Sequence, residues 1–206
     1  MVSTIVRRAC YGRSTIAVLF LLVLAAPLAA RDVVVITIET SIGSIDVEVD
    51  STHAPITAAN FLNYVDHKMY DGGRFHRAVR LDNQVRKDVM IQVIKGGRGP
   101  EQAKTVKGFG SIPLERTSLT TLKHVDGAIS MARGTTADSA SSDFFLCVGD
   151  NPSLDFGGAR NPDGQGFAAF GRVVRGMDVV RKIQAGATND REQLVEPVAI
   201  LRVSRR

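Results

Sequence analysis

Alternation of apolar and polar residues predicts the first two strands of the chain. Residues 33–39 are dense in β-branched side chains, and over residues 45–50 apolar residues alternate strictly with acidic ones. A period of two is typical of a strand with one buried face. Residues 40–44, which include Gly43, connect the two segments. The pattern therefore predicts a β-hairpin with one apolar face.

A different spacing predicts two helices. Ala58, Phe61, Leu62 and Val65 recur at intervals of three and four after Pro55, a residue that the first turn of a helix tolerates. The spacing predicts a helix of about ten to twelve residues. Residues 177–184 repeat apolar side chains every third position after a glycine, which predicts the second helix.

Six further short strands complete the expected architecture. They are predicted at residues 74–79, 90–94, 128–132, 143–148, 167–174 and 198–203. Residues 96–110 are rich in glycine and lysine and have no periodicity, so we expect a loop there. Strands and helices do not alternate, and no repeat is present. The sequence thus predicts a mainly β fold, a closed eight-stranded antiparallel barrel capped by two α-helices, which leaves no free sheet edge.

The first thirty residues have the pattern of a secretory signal peptide. Three arginines precede the apolar run 16–24, and small residues fill positions 25–30. A transmembrane anchor is the alternative, but it needs about 20 apolar residues, and residues 16–30 supply fifteen. We therefore expect a signal peptide at 1–30, a single domain at 31–206 without a stable membrane anchor, and export to the periplasm or the medium.

Charge and cysteine content narrow the function classes. The net charge of +5 falls to +2 when the three arginines of residues 1–30 are removed, because that segment has no acidic residue. The remaining basic residues are scattered among acidic ones, which argues against a nucleic-acid partner. Cys147 alone remains after residue 30, so no intramolecular disulfide can form. Its apolar neighbours favour a buried small residue over a reactive thiol.

Seven segments of the chain occur together in the order of one known family. They are Phe75-His76-Arg77 after a Tyr-Asp-Gly turn, Gly96-Gly97, Leu122-Lys123-His124, residues 127–132, residues 142–146, Leu154-Asp155 and residues 170–180. In this order they resemble the cyclophilins, over essentially all of residues 31–206. The resemblance implies a peptidyl-prolyl cis-trans isomerase that uses no cofactor or metal, acts as a monomer and assists the folding of exported proteins.

The resemblance also implies the site residues. Arg77 corresponds to the catalytic arginine, while Phe145, Leu154 and Phe167 would form an apolar slot for the proline ring. Ala132 would leave room for the residue before the proline. Phe145 could equally be a plain core residue, because Phe144 beside it should point the other way.

Several groove positions depart from the usual residues of the family. Lys95 and Asp143 replace glutamines, Arg133 replaces an asparagine, Ser153 a tryptophan and Phe167 a histidine, while Gln92 and Val93 stand for a phenylalanine and a methionine. Gln92, Val93, Arg133 and Asp143 are nevertheless expected to contact substrate. Asp143 is further expected to pair with Arg77 and compete with the substrate.

Two functions follow from these residues. The first is a catalytic isomerase that acts on proline-containing segments of unfolded or folding proteins, favoured by Arg77. The second is a non-catalytic chaperone or proline-peptide binding module with the same fold, which the altered groove leaves open.

Overall fold

Eight strands form one closed antiparallel barrel in the computed structural model, which describes residues 33–206 together with Met1. The strands are β1 (Val33–Thr40), β2 (Gly43–Asp50), β3 (Arg74–Val79), β4 (Val93–Gly97), β5 (Ala128–Met131), β6 (Phe144–Cys147), β7 (Ala168–Arg175) and β8 (Gln193–Arg205). Around the barrel their order is β1-β2-β7-β5-β6-β4-β3-β8. The predicted fold class is confirmed.

Within residues 33–206, four α-helices accompany the barrel, two of which were predicted. The helices are α1 (Pro55–Asp66), α2 (Pro100–Thr105), α3 (Thr117–Thr120) and α4 (Met177–Gln184). α1 packs against β2, β7 and β8, and α4 packs against β2, β3 and β4. The prediction of a loop over residues 96–110 was wrong, because β4 extends to Gly97 and α2 follows. No residue of α2 is buried, so this helix has no apolar stripe that a sequence pattern could reveal.

The main core fills the barrel interior. The hairpin register places Ile36 opposite Val47 and Ile38 opposite Ile45, and all four side chains are fully buried. From α1, Phe61 inserts a ring that meets Phe144 edge-on at 5.5 Å and Phe170 at 5.1 Å. Contacts between rings at these separations add to the stabilisation from burial.

A second, smaller apolar cluster lies on the outer face of the barrel. Its buried members are Val79, Ile91, Val93, Ala128, Phe145, Cys147 and Leu154. Successive side chains of a strand point to opposite faces, so on β6 Phe144 joins the interior core while Phe145 joins the outer cluster. Burial raises the pKa of the Cys147 thiol, in agreement with the prediction of a buried small residue.

The predicted signal peptide, residues 1–30, lies outside the described residues except for Met1. Within the described part of the chain, no helix has the length and apolar character needed to cross a bilayer.

Candidate active site

A β-bulge in β3 brings Arg77 to the outer face of the barrel. Phe75 pairs with Gly96 of β4 and Arg77 with Lys95, which leaves His76 as the extra residue of β3. The register against β8 also shifts between Phe75 and Arg77. Phe75 and Ala78 both belong to the interior core although three positions separate them, whereas Val79 belongs to the outer cluster. The bulge therefore reverses the alternation, and Arg77 lines a surface cavity together with Val79.

This cavity has a volume of about 260 Å³ and rests on the outer cluster. Seven of the predicted site residues line it, namely Arg77, Val93, Ala132, Arg133, Phe145, Leu154 and Phe167. The structure thus brings together residues from β3, β4, β6 and the two connections that flank β6. Gln92 and Asp143 are not among the lining residues.

Aromatic rings form one end of the cavity. Phe145 and Phe167 meet edge-on, with ring centroids 5.5 Å apart and planes at 90°. The His124 ring stacks on Phe145 at 5.8 Å, and Leu154 is buried beside them. Two rings at right angles with an aliphatic side chain make an apolar slot whose shape suits a small ring.

The buried His124 ring packs behind Phe145 and is itself held by two hydrogen bonds. Its Nδ1 lies 2.8 Å from Oδ1 of Asp155, and its Nε2 lies 3.0 Å from Oγ of Ser130. Burial lowers the pKa of His124, and the hydrogen bond to Asp155 only partly offsets this effect. His124 is therefore a hydrogen-bonded structural residue.

Arg77 is held by a buried carboxylate. Its Nε donates to Oε2 of Glu192 at 2.9 Å, and its Nη2 donates to the same oxygen. The N–H of Val85 donates to Oε1 at 3.0 Å. Burial alone would raise the pKa of Glu192, but the hydrogen bonds from Arg77 and Val85 outweigh it, so this pKa lies below its usual value.

The expected pairing of Asp143 with Arg77 was therefore wrong. Oδ2 of Asp143 lies 2.8 Å from Nζ of Lys95 instead. Arg77 already pairs with the carboxylate of Glu192. Asp143 pairs with Lys95, which lies opposite Arg77 on the neighbouring strand β4. Gly97 permits this pair, because a Cβ at that position would lie 2.3 Å from Oδ1 of Asp143.

The expected contribution of Gln92 to the cavity was also wrong. Ile91 and Val93 line the cavity on either side of it, as alternation along an extended segment requires. Gln92 is held through its backbone, whose N–H donates to Oδ1 of Asn151 at 2.6 Å and whose carbonyl accepts from the N–H of Val148 at 2.9 Å. These backbone hydrogen bonds thus set the register of the segment, with Ile91 and Val93 lining the cavity and Gln92 not.

Arg133 closes the side of the cavity next to the loop 155–167. Its side chain is fully buried, and its guanidinium lies over the ring of Phe167 at 5.3 Å. Nε donates to the carbonyl of Gly166 and Nη2 to Oδ1 of Asp163, each at 2.8 Å. Arg133 therefore fastens this loop against the slot.

Sequence reasoning missed four lining residues, namely Val79, Ile91, Arg160 and Asn161, and it named Lys95 as a groove position without expecting it to contact substrate. Alternation could have found Val79 and Ile91, since they lie two positions from Arg77 and Val93. Arg160, Asn161 and the partner Glu192 carried no such signal, because their approach to Arg77 depends on tertiary folding.

Comparison with known proteins identifies the family of the chain. The family model described as cyclophilin type peptidyl-prolyl cis-trans isomerase/CLD matches residues 35–205. A peptidyl-prolyl cis-trans isomerase of Acinetobacter baylyi is 36% identical over 148 residues, covering 72% of this chain and 70% of the relative. Peptidyl-prolyl cis-trans isomerase A of Dickeya dadantii is 34% identical over 155 residues, with 75% and 73% covered.

Solved structures show the same fold. A cyclophilin type peptidyl-prolyl cis-trans isomerase of Cryptosporidium parvum, crystallised in the presence of the dipeptide Ala-Pro, superposes with a TM-score of 0.66 and 18% identity. The superposition covers 84% of this chain and 98% of that protein. On the family match and these relatives, the chain belongs to the cyclophilin-type peptidyl-prolyl cis-trans isomerases.

Proposed function

We propose that this cyclophilin accelerates cis-trans isomerisation of X-Pro bonds in unfolded or folding proteins, with Arg77 as the catalytic residue. The observation that carries the proposal is the placement of the Arg77 guanidinium in one cavity with the apolar slot of Phe145, Leu154 and Phe167. Such a cavity can hold a proline ring while presenting a hydrogen-bond donor beside it.

The chemistry requires only selective stabilisation of a twisted amide. The barrier of roughly 18–20 kcal/mol arises because resonance is lost as the C–N bond rotates. In the twisted state the prolyl nitrogen becomes pyramidal and gains a lone pair, which accepts a hydrogen bond better than the planar amide nitrogen does. A guanidinium donor fixed near that nitrogen therefore lowers the barrier more than it stabilises the bound ground state.

Glu192 leaves a donor of Arg77 for this task. Its Oε2 accepts from Nε and Nη2, and within residues 33–206 no acceptor is bonded to Nη1. The Arg77 side chain is 37% exposed, so a bound peptide can reach it. Fixing two donors on a buried carboxylate reduces the number of guanidinium orientations that the transition state must select from.

We also propose that the protein acts on exported proteins, in the periplasm or the medium. Support comes from the order of basic, apolar and small residues within residues 1–30. Mass spectrometry of the protein from the culture medium and periplasmic extract should give a mature N-terminus near Arg31. Exported protein that retains residues 1–30 would refute this part of the proposal.

A protease-coupled assay on a proline tetrapeptide tests the activity. Acceleration of the slow phase by the purified protein supports the isomerase. The ion pair of Lys95 with Asp143, in place of two glutamines, favours a second candidate, a proline-peptide binding module without catalysis. Peptide binding without acceleration would establish that second function.

A further inference from the structure

The groove has a one-sided distribution of charge. Four of the residues lining the cavity are basic, namely Arg77, Lys95, Arg133 and Arg160, and none of the described lining residues is acidic. A bound peptide therefore meets only cationic side chains among the charged groups. A cleft lined by charges of one sign favours ligands of the opposite sign.

Three of the four cations are neutralised by carboxylates that do not line the cavity. Arg77 pairs with Glu192, Lys95 with Asp143 and Arg133 with Asp163.

Arg160 differs from these three. Its Nη1 donates to the backbone carbonyl of Val89 at 2.7 Å, and no carboxylate within residues 33–206 forms an ion pair with it. Among the described basic residues that line the cavity, Arg160 is thus the one without a carboxylate in ion-pair contact, although Glu192 and Asp88 attract it from farther away.

Residues 86–89 hold Arg160 in place through its backbone and through its side chain. Arg86 donates through Nη1 to the carbonyl of Arg160 and through Nη2 to that of Ala159 at 3.1 Å. Arg160 donates back to Val89, three residues beyond Arg86. Because the backbone of Arg160 and one of its donors are fixed before a ligand arrives, binding costs little ordering of this side chain.

Burial leaves the charge of Arg160 partly unsatisfied. Desolvation lowers the pKa of its guanidinium, although the group stays protonated at any physiological pH. Its remaining N–H donors have the fork geometry that suits a carboxylate. A carboxylate placed there would regain the interaction that the guanidinium loses on burial.

We propose that Arg160 forms a subsite for an acidic side chain flanking the proline, so that the groove selects acidic proline-containing peptides. This inference rests on the proposed function, because it assumes that the proline occupies the slot of Phe145 and Phe167. Selection also acts against basic peptides, because the Arg160 guanidinium repels a basic side chain placed at this position.

Paired peptides test the subsite. In a series of proline tetrapeptides, each flanking position in turn carries Glu or Gln, and catalytic efficiency and Kd are measured for both members of each pair. We expect the Glu peptide to be favoured about fivefold at one position in low salt, and the ratio to shrink in 1 M salt.

Variants assign the effect to Arg160. Arg160→Gln should bring the Glu-to-Gln ratio close to one, while Arg160→Lys should keep part of it because the charge remains. Arg172→Gln is the matched control: it removes an exposed arginine of β7 that pairs with Glu48, so the ratio should not change. If Arg160→Gln fails to fold, two measurements replace it: a Glu-to-Gln ratio that is smaller in Arg160→Lys and that shrinks in high salt in the unaltered protein supports the subsite, and an unchanged ratio in both overturns it.

The outcomes separate this inference from the proposed function. A ratio near one at every position in low salt, or a ratio that survives Arg160→Gln, overturns the subsite even if isomerisation is fast. Absence of acceleration combined with a Kd preference for the Glu peptide refutes the isomerase but supports the subsite. Failure of every peptide to bind overturns both.

Discussion

Arg77 and Glu192 are joined by two hydrogen bonds that end on the same carboxylate oxygen. The residues are 115 positions apart, and Glu192 is 1% exposed in the turn before β8. Its backbone adopts φ +62°, a left-handed conformation that costs a non-glycine residue on the order of 1–3 kcal/mol. The fold maintains this conformation in a turn whose Glu192 carbonyl also accepts the N–H of Ala78 at 3.0 Å.

Glu192 is therefore expected to position Arg77. Glu192→Gln should lower kcat about threefold to tenfold with little change in KM, because a neutral amide holds a guanidinium less firmly than a carboxylate does. Stopped-flow isomerisation of a proline peptide measures both constants. Glu39→Gln is the control, since Glu39 makes a similar but exposed pair with Arg202. An unchanged kcat in folded Glu192→Gln would rule out a positioning role.

The ion pair of Lys95 and Asp143 should contribute modestly to the free energy of unfolding. The pair is partly exposed, with side chains 28% and 39% accessible, so we expect it to stabilise the folded protein by only about 0.5–1 kcal/mol. Urea unfolding of Lys95→Gln, Asp143→Gln and the double variant gives the interaction energy directly. The double variant should lose less stability than the two single variants summed. Strict additivity would show that the ion pair contributes nothing.

Stability should fall on mild acidification because of His124. Burial depresses its folded pKa below that of the unfolded chain, so between the two values the unfolded state binds more protons, and stability decreases as pH falls below about 6.5. Burial also lowers the pKa of His76, which adds a loss of the same sign.

Asp155 adds a second loss at lower pH. Burial would raise its pKa, but the hydrogen bonds and charge of His124 hold it below the usual value, so its contribution disappears as pH falls below about 3.9 and through the folded pKa. Thermal unfolding from pH 8 to pH 3 should show both steps, and His124→Asn should reduce the first. Stability that is constant between pH 7.5 and 5 would contradict this account.

Period-two and period-three patterns predicted much of the fold. The hairpin of β1 and β2 and the helix α4 were visible because each buries one face, and α4 has the predicted bounds. α2 was invisible because it buries no residue. β8 extends over thirteen residues, far beyond the predicted strand, because much of its length is exposed and shows no alternation.

The sequence could predict which face of its own strand a site residue lies on, because that depends only on local alternation. Alternation required Phe144 and Phe145 to point to opposite faces, and the structure places Phe144 in the interior core and Phe145 in the outer cluster. The partner of Arg77 could not be found in this way, because Glu192 reaches it from another part of the barrel. The same holds for Arg160, which the loop 155–167 brings to the groove.

The central claim is that the Arg77 guanidinium lowers the isomerisation barrier. Arg77→Ala should reduce catalytic efficiency at least about tenfold, or about 1.4 kcal/mol of transition-state stabilisation, a modest value for a charge-assisted hydrogen bond. Arg77→Lys should restore little of it, because an ammonium lacks the planar fork held by Glu192.

The decisive measurement is the catalytic efficiency of the unaltered protein, Arg77→Ala and Arg77→Lys on one proline tetrapeptide, with circular dichroism to verify folding. The account predicts an active unaltered protein and two folded variants with at least about tenfold lower efficiency. Full activity in folded Arg77→Ala would contradict it.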